Sequence, residues 1–349
     1  MQFPIRLDIE PTNRCNADCH FCPRDMTPDE GLMKPEIFEA ALQRAVEYRP
    51  IVHEVLKRDF LITLCGLGEP LLNKHVPEWV GQARQEGFTV SLSSNGGLLD
   101  GRRGAALVEA GLQQIDINVG EIEEEYENIY KLPWEKTLNN ILGFREMAGD
   151  TCQINIVLVN HRRDDDHMQF MIEYWRSHGF DGFLPFEIMN RGGSLFVDHL
   201  SYEEDDSSRQ ANEMLLEAGN GEIPPCAAPV LFPFIGYDGQ YYLCCSDWTK
   251  QTPMGSVLDT PMVDVTNLKL EHSIDREAVC KTCNLDPVNL MTENLQADAA
   301  GETPKESTPD LLERLANGGQ AVAEIVEGMR PHMSPDAPTR RRRIPVEVL

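Results

Sequence analysis

The chain has 349 residues, of which 41% are hydrophobic and 25% charged, the usual proportions of a folded globular protein. Its 57 acidic residues outnumber 31 Lys and Arg, which gives a formal net charge of −26. A field of that sign repels phosphate groups and speaks against a nucleic acid or an anionic membrane as partner. No apolar run is long enough to cross a bilayer and no signal peptide is evident, so the sequence predicts a cytoplasmic protein.

From residue 5 to residue 188, segments with strand periodicity alternate with segments that have helical spacing. Six strand–helix units with short connections predict parallel strands with right-handed crossovers, in a barrel or a doubly wound sheet. Six is short of the eight strands of a closed barrel. The predicted strands cover 5–9, 60–64, 89–93, 114–119, 153–159 and 182–188, and the helices between them 34–48, 76–87, 98–110, 137–147 and 165–178.

The alternation ends near residue 191, and a second, smaller module is predicted over about 220–290. It contains a hairpin over 232–244 that turns at Asp238-Gly239. The composition of 296–309 is typical of a linker. A terminal helix follows over 311–326, and an arginine run at 340–343 is expected to be a disordered end. The acidic stretch 121–125 is interpreted as a solvated face.

Ten cysteines are hard to explain as disulfides in a reducing compartment, so metal ligation, catalysis and burial are the expected uses. Cys15, Cys19 and Cys22 place three thiols on the loop after the first strand. A loop can wrap around one ion or cluster, and three ligands leave one metal position open, as in catalytic metal sites. A zinc knuckle completed by His20 is the alternative. Cys65 and Cys152 stand alone and are predicted to be buried.

The arrangement Cys15-x3-Cys19-x2-Cys22, with Phe21 before the third cysteine and Glu10-Pro11-Thr12-Asn13 before the first, resembles the signature of radical S-adenosylmethionine enzymes. The resemblance implies that the three thiolates hold a four-iron four-sulfur (4Fe-4S) cluster and that S-adenosylmethionine binds its open iron. It also implies that one electron, from a donor such as a flavodoxin or ferredoxin, cleaves S-adenosylmethionine. The resulting 5′-deoxyadenosyl radical then removes a hydrogen atom from the substrate.

The stretch that follows the second strand, residues 66–70, resembles the GGEP-type motif of that family. The resemblance implies that Gly66 and Gly68 let the backbone approach the methionine part of S-adenosylmethionine. It also implies that Glu69 accepts a hydrogen bond from the ammonium group. A plain turn is the alternative, because Gly and Pro interrupt any loop.

Three further loops carry the same resemblance. Ser94 and Asn95 lie in a Ser-Asn-Gly stretch expected beside S-adenosylmethionine, with an Asn-Gly turn as the alternative. Asn118 replaces the serine that is common at the family's ribose contact. Arg191 resembles the arginine of an N-R-x-G element near the cofactor carboxylate, with a solvated surface arginine as the alternative. The resemblance covers about residues 5–195 and implies a partial (β/α)6 barrel.

The second cysteine set, residues 226–283, resembles the SPASM/Twitch extensions of some radical S-adenosylmethionine enzymes, including the spacing Asp238-Gly239-x4-Cys. The resemblance implies one fully ligated auxiliary 4Fe-4S cluster; a zinc ribbon is the alternative. Cys245 would point away from its neighbour in an extended backbone, as a spare ligand, a buried side chain or a hydrogen-atom donor. The predicted ligands of the auxiliary cluster are Cys226, Cys244, Cys280 and Cys283.

The predicted fold class is therefore α/β, a partial (β/α)6 TIM-like barrel followed by a small cysteine-rich Twitch/SPASM-like module. The predicted divisions are the barrel, a connecting helical segment, the auxiliary module, and a partly disordered linker, terminal helix and basic tail. Their bounds are 1–195, 196–222, 223–290 and 291–349.

The predicted reaction is oxidation of a small polar metabolite such as a sugar, an aminocyclitol or a nucleoside. The substrate radical would lose a proton to a base and an electron to the auxiliary cluster. The alternatives are a radical epimerase with Cys245 as hydrogen donor and a maturase of a ribosomal peptide. The barrel starts within about five residues of Met1, which leaves no room ahead of it for a fused peptide-binding domain and favours the small metabolite. A zinc-binding interaction protein is the non-enzymatic alternative.

Overall fold

The protein is built on one nine-stranded sheet, seen in a computed structural model that describes residues 5–27, 29–162, 164–187, 189 and 205–339. The strand order is β6-β5-β4-β3-β2-β1-β7-β8-β9, and β1 to β6 are all parallel. The strands are β1 Arg6–Ile9, β2 Leu61–Leu64, β3 Val90–Ser94, β4 Gln114–Asn118, β5 Gln153–Val159, β6 Gly182–Phe186, β7 Phe234–Ile235, β8 Gln240–Tyr242 and β9 Pro253–Ser256.

Helices connect the parallel strands. Because the strands follow one another in chain order and such crossovers are right-handed, the connecting helices fall on one side of the sheet. The helices are α1 Pro35–Leu56, α2 Val76–Gln85, α3 Gly101–Glu109, α4 Glu123–Tyr130, α5 Trp134–Ala148, α6 Asp165–Ser177, α7 Asp206–Ala218, α8 Ala228–Leu231, α9 Met262–Asp275, α10 Ala278–Lys281, α11 Pro287–Ala300 and α12 Thr308–Met329. This mostly parallel α/β architecture confirms the predicted fold class, a partial barrel.

The two faces of the sheet differ in polarity. Successive residues of a strand point to opposite faces. Leu7, Ile62 and Leu92 are buried in the hydrophobic core, which they share with residues of α1 and α2. The residues between them, such as Asp8 and Thr63, point to the opposite side, which we call the inner face of the sheet. The inner face therefore carries polar side chains of these strands.

The C-terminal strands continue the same sheet. β7 pairs in parallel with β1, and β8 and β9 follow in antiparallel order. The predicted hairpin at Asp238-Gly239 is present between β7 and β8, with Gly239 at φ +81° as a tight turn requires. The sequence predicted this hairpin as part of a separate module, whereas it extends the barrel's own sheet beside β1.

Helix α1 is longer than predicted. The sequence predicted a helix over 34–48 from its apolar spacing, and Pro50 beyond it lacks the N–H that a helix interior uses. The helix instead continues to Leu56 with Pro50 inside it. Tyr48 and Val52 on either side of the proline are buried, and the Tyr48 side chain contacts Met329 of α12. Tertiary packing thus outweighs the missing hydrogen bond.

The predicted linker also begins later than expected, since α11 extends to Ala300. Asp286 caps this helix by accepting from the N–H groups of Val288 and Asn289, and Pro287 occupies its first position. Helices α7, α11 and α12 share a small apolar cluster of their own. That cluster consists of Ala211, Leu215, Val288, Met291, Leu311 and Leu315.

The arginine run at 340–343 lies outside the described residues. Across the described part of the chain, no helix combines the length and apolarity needed to cross a bilayer.

Candidate active site

The loop after β1 carries the three clustered cysteines and is held by its own hydrogen bonds. Arg24 donates from Nη1 to the carbonyl oxygen of Ala17 at 2.8 Å and lies 3.4 Å from that of Cys15. The N–H of Cys22 donates to the carbonyl of Cys19 at 3.0 Å. Burial first, then the thiols of Cys22 and Cys15, raise the pKa of Cys19. The three thiols therefore lie close enough to act on one another's charge.

Glu69 joins the ends of β2 and β3. Its side chain is buried, and Oε1 accepts from the N–H of Leu71 at 3.1 Å and from the hydroxyl of Ser94 at 3.0 Å. Oε2 accepts from the N–H of Asn95 at 2.8 Å. Burial raises the pKa of Glu69, and these hydrogen bonds oppose that rise. Three of the predicted site residues thus form one hydrogen-bonded unit.

Asn95 connects this unit to the cysteine loop. Its Nδ2 lies 3.6 Å from Cys15 Sγ and donates to Asn16 Oδ1 at 3.0 Å. On the next strand, Asn118 donates from Nδ2 to Ser93 Oγ at 3.2 Å. The structure therefore connects Glu69, Ser94 and Asn95 to the first cysteine, and it places Asn118 against the neighbouring strand β3. Arg191 lies outside the described residues.

Gly66 and Gly68 allow the loop after β2 to approach the cysteine loop. A Cβ on Gly68 would stand 2.2 Å from the carbonyl oxygen of Arg14, and a Cβ on Gly66 would stand 2.5 Å from Glu10 Cγ. The N–H of Glu69 donates to Arg14 O at 2.9 Å across this contact. The sequence predicted that Gly66 and Gly68 let the backbone approach S-adenosylmethionine. The contact that the structure describes for both glycines is with the chain that follows β1.

We expect Gly68→Ala to disrupt this contact. The new methyl group would meet backbone atoms, which cannot rotate away, so the free energy of unfolding should fall by about 2–4 kcal/mol. Gly81→Ala is the matched control, because a Cβ there meets nothing within 4 Å on α2. That control should gain about 0.5–1 kcal/mol. Urea unfolding of both variants checks the contrast, and equal stabilities would contradict it.

An aromatic cluster beside Phe21 was not predicted, because the loop after β5 carries no motif. The His161 ring stacks obliquely on Phe21 at 4.6 Å between centroids, and the Tyr130 ring lies 5.4 Å from Phe21. The hydroxyl of Tyr130 accepts from the N–H of Gly120 at 2.7 Å. Burial lowers the pKa of His161 to about 4, so its ring is neutral at pH 7. These rings form an uncharged wall beside the cysteine loop.

The interpretation of residues 121–125 as a solvated face is wrong for its first residue. Glu121 is 1% exposed and pairs with Arg162 at 2.8 Å and 2.9 Å. His167 Nε2 lies 3.0 Å from both of its carboxylate oxygens. A run of acidic residues in the sequence does not indicate that the side chain of one of them is buried between the ends of β4 and β5.

A buried ion pair ties the C-terminal strands to the mouth of the barrel. Lys250 donates from Nζ to Glu10 Oε2 at 2.7 Å, and both side chains are buried. The Lys250 ammonium also lies 4.2 Å from the centre of the Tyr237 ring. The other oxygen of Glu10 accepts from the N–H of Leu67 in the glycine-rich loop at 3.1 Å. One carboxylate therefore contacts both the C-terminal strands and the loop that carries Glu69.

The second cysteine set also comes together. Burial first, then Cys283 and Cys280 among its neighbours, raise the pKa of Cys226. Burial likewise raises the pKa of Cys244, with Cys245, Cys283 and Cys226 adding to the rise. The four predicted auxiliary ligands therefore share one neighbourhood, although they come from sequence positions up to 57 residues apart.

Two polar side chains that the sequence did not single out hold this neighbourhood in place. Asn289 donates from Nδ2 to the carbonyl oxygens of Cys280 at 3.0 Å and Cys283 at 2.9 Å, which clamps the C-x2-C turn. Lys269 is buried and donates to the carbonyl oxygens of Tyr242 and Leu243, just before Cys244. Burial lowers the pKa of Lys269 to about 8.

The donor sets fit iron–sulfur clusters in kind: the thiols are clustered, all ten cysteines are free of disulfides, and backbone packs closely behind the first set. Within the described ranges, no three Cys, His, Asp or Glu side chains are arranged to hold a single metal ion. A four-iron cluster is wider than one ion, so its ligands stand further apart.

Comparison with known sequences finds a family match within the first half of the chain. Residues 9–172 match the family described as the Radical SAM superfamily. A probable GTP 3′,8-cyclase of Methanothermobacter thermautotrophicus is 32% identical over 176 residues, which are 48% of this chain and 53% of that protein. The chain thus spans about half the length of the curated relatives it matches.

Comparison with solved structures extends over more of the chain. A structure of anSMEcpe with bound AdoMet (S-adenosylmethionine) and Kp18Cys peptide has a TM-score of 0.57 at 17% identity, over 95% of this chain and 98% of that one. A structure of BtrN in complex with AdoMet and 2-DOIA has a TM-score of 0.50 at 18% identity, over 81% of this chain and 94% of that one. At these identities the likeness concerns the fold.

Proposed function

The chain carries a radical SAM domain, and from that premise we propose that it cleaves S-adenosylmethionine reductively and oxidises a small polar metabolite. The family implies a 4Fe-4S cluster and S-adenosylmethionine as its cofactors. The observation that carries the proposal is the connection of Cys15 through Asn95 to Glu69. This connection supports Glu69 as the acceptor for the S-adenosylmethionine ammonium, because it links Glu69 to the first predicted cluster ligand.

In this proposal each part of the site has a separate task. Cys15, Cys19 and Cys22 hold the cluster, which when bound supplies the electron that splits S-adenosylmethionine into methionine and a 5′-deoxyadenosyl radical. Glu69 accepts from the ammonium of the methionine part, and its three internal donors fix its position. Asn118 stands near the ribose. The uncharged ring of His161 helps to exclude water from the cysteine loop.

The auxiliary set supports the oxidative version of the proposal. Cys226, Cys244, Cys280 and Cys283 would hold a second 4Fe-4S cluster with four protein ligands. Such a cluster would supply an acceptor for the electron that oxidation of the substrate releases. An external reductant of the flavodoxin or ferredoxin type supplies the first electron.

We expect Cys283→Ala to separate the two clusters. The iron content of the anaerobically reconstituted protein should fall from about eight to about four atoms per chain, because only the auxiliary set loses a ligand. The slow cleavage of S-adenosylmethionine without substrate should stay within about twofold of the parent. Iron analysis and chromatography of 5′-deoxyadenosine measure the two quantities, and parent-like iron content in the variant would contradict the auxiliary assignment.

Two other reactions use the same site. Peptide maturation is supported by the fold likeness to anSMEcpe with a bound peptide. Radical epimerisation is supported by the place of Cys245 near Arg6 of β1: burial lowers the pKa of Arg6, but the charges of Asp8, Cys65 and Cys245 together raise it by more. A thiol there could return a hydrogen atom to a substrate radical.

Incubation in deuterated water distinguishes these reactions. The reconstituted protein, S-adenosylmethionine and reductant are combined with sugars, aminocyclitols and nucleosides, and products are identified by mass spectrometry. Oxidation predicts a product two mass units lighter than its substrate, and epimerisation predicts one deuterium gained at unchanged oxidation state. No 5′-deoxyadenosine under any condition would overturn the proposal as a whole.

A further inference from the structure

Lys269 is a buried cation that no step of the proposed reaction uses. It lies in the middle of α9, and its side chain is buried. The ammonium donates to the carbonyl oxygens of Tyr242 and Leu243, in the second case at 2.8 Å. Leu243 directly precedes Cys244 in the sequence. The charge is therefore held against the backbone beside a predicted ligand of the auxiliary cluster.

A second residue on the same face of α9 contacts this cysteine set. Ser273 follows Lys269 by one helical turn, and residues four positions apart in a helix share one face. The Ser273 hydroxyl donates to the carbonyl oxygen of Cys226 at 3.1 Å. One face of α9 therefore meets the backbone at or beside two of the predicted auxiliary ligands, with a charged donor at Lys269 and a neutral donor at Ser273.

The positive charge of Lys269 is not neutralised at contact distance. Its hydrogen-bond acceptors among the described residues are neutral carbonyl oxygens. Burial lowers the pKa of Lys269, and the charges of Cys244 and then Asp247 oppose that effect. By contrast, Arg276 at the end of α9 is paired with Asp286 at 2.7 Å. Lys269 therefore acts on Cys244 more strongly than on the carboxylate near it.

A buried cation beside an iron–sulfur cluster affects the reduction potential of that cluster. Reduction adds one negative charge to a group that already carries four thiolates, and a positive charge close by stabilises the added charge. The effect is stronger in a buried place than at the surface, because water and salt screen it less. Lys269 would therefore favour the reduced form of a cluster held by the second cysteine set.

We propose that Lys269 raises the reduction potential of the auxiliary cluster and so makes that cluster a better electron acceptor for the substrate radical. The proposal rests on the proposed function, in that the second cysteine set holds the cluster. In the oxidation, the substrate first loses a hydrogen atom to the 5′-deoxyadenosyl radical. It then loses one electron to the cluster and one proton to a base. Lys269 contributes its charge and does not take up that proton.

Potentiometric titration of the anaerobically reconstituted protein at neutral pH, followed by electron paramagnetic resonance, tests this role. The auxiliary signal is the one that is absent from Cys283→Ala. Lys269→Met and Lys269→Gln both remove the charge, and glutamine keeps an N–H donor for the carbonyl groups. Each should lower the equilibrium constant for reduction of the auxiliary cluster about tenfold or more, and tenfold corresponds to about 59 mV for one electron.

Two controls separate buried charge from position. Ser273→Ala removes a neutral donor from the same face of α9 and should change that equilibrium constant less than about threefold. Lys281→Met removes an exposed charge between Cys280 and Cys283, which water and salt screen, and should also change it less than about threefold. A purely structural role predicts that Lys269→Gln unfolds at lower urea concentration while the auxiliary cluster keeps its parental potential.

Three results would overturn the role of Lys269. The first is a parental potential in both Lys269 variants at full iron content, and the second is an equal shift in Ser273→Ala or Lys281→Met. The third is loss of the auxiliary iron from both Lys269 variants, which would assign Lys269 to holding the loop before Cys244.

The same samples distinguish this role from the proposed function. An auxiliary signal whose potential does not depend on Lys269 overturns the role of Lys269 alone. A signal that depends on Lys269, in a protein that oxidises no substrate, overturns the proposed reaction and leaves the role of Lys269 standing. Absence of any auxiliary signal from the parent protein overturns the auxiliary assignment and this role with it.

Discussion

Cys15→Ala is expected to lower 5′-deoxyadenosine formation by at least about 10³-fold. With two thiolates left, the first cluster loses a ligand and its protein-bound position beside Asn95, so S-adenosylmethionine has no ordered iron to bind. Iron content should fall from about eight to about four atoms per chain. Anaerobic iron and sulfide analysis together with chromatography of the nucleoside products measures both effects.

Cys152→Ala is the matched control for that experiment. Cys152 is buried at the start of β5 and belongs to neither cysteine set. Its replacement removes a small apolar volume and should cost about 1 kcal/mol of stability without changing iron content or S-adenosylmethionine cleavage. If Cys15→Ala kept parent-like cleavage, the assignment of the three-cysteine loop would be wrong.

Glu69 replacements should give the second large effect. Glu69→Ala leaves two backbone N–H groups and the Ser94 hydroxyl without their acceptor in a buried place. Each unpaired buried group costs about 1–3 kcal/mol, and with partial relaxation the free energy of unfolding should fall by about 2–4 kcal/mol. Because Asn95 would also lose its hydrogen bond to Glu69, the rate of S-adenosylmethionine cleavage should fall as well.

Glu69→Gln tests the charge apart from the shape. A charge-assisted hydrogen bond to the ammonium contributes about 1.5–3 kcal/mol, so the KM for S-adenosylmethionine should rise about 10- to 100-fold. Glu78→Gln on α2 is the control, because Glu78 is an exposed acid paired only with His75 among the described residues. Equal KM values for Glu69→Gln and the parent would show that Glu69 holds the loop and does not bind the substrate.

The barrel could be predicted from sequence because its signal is local. Apolar residues at alternate positions, such as Leu7 and Ile9, mark strands that bury one face against helices, and the order of strands and helices then limits the topology. The cysteine loop and the loop after β2 were predictable in place because each follows a strand directly. Their mutual contact through Arg14 was not, since it depends on how two loops pack.

The residues that the sequence missed share a physical cause. Glu121, Lys250 and Lys269 are charged residues whose side chains are buried. Each forms hydrogen bonds with a residue that is distant in the sequence. Composition predicts that such residues lie on the surface.

The central claim is that a cluster held by Cys15, Cys19 and Cys22 cleaves S-adenosylmethionine. Its most direct test is a single turnover: anaerobically reconstituted protein is reduced with dithionite, mixed with S-adenosylmethionine, and sampled for 5′-deoxyadenosine and methionine. The account predicts both products in equal amounts, with neither formed when the reductant is omitted. Unchanged S-adenosylmethionine in the presence of a fully loaded, reduced protein would contradict it.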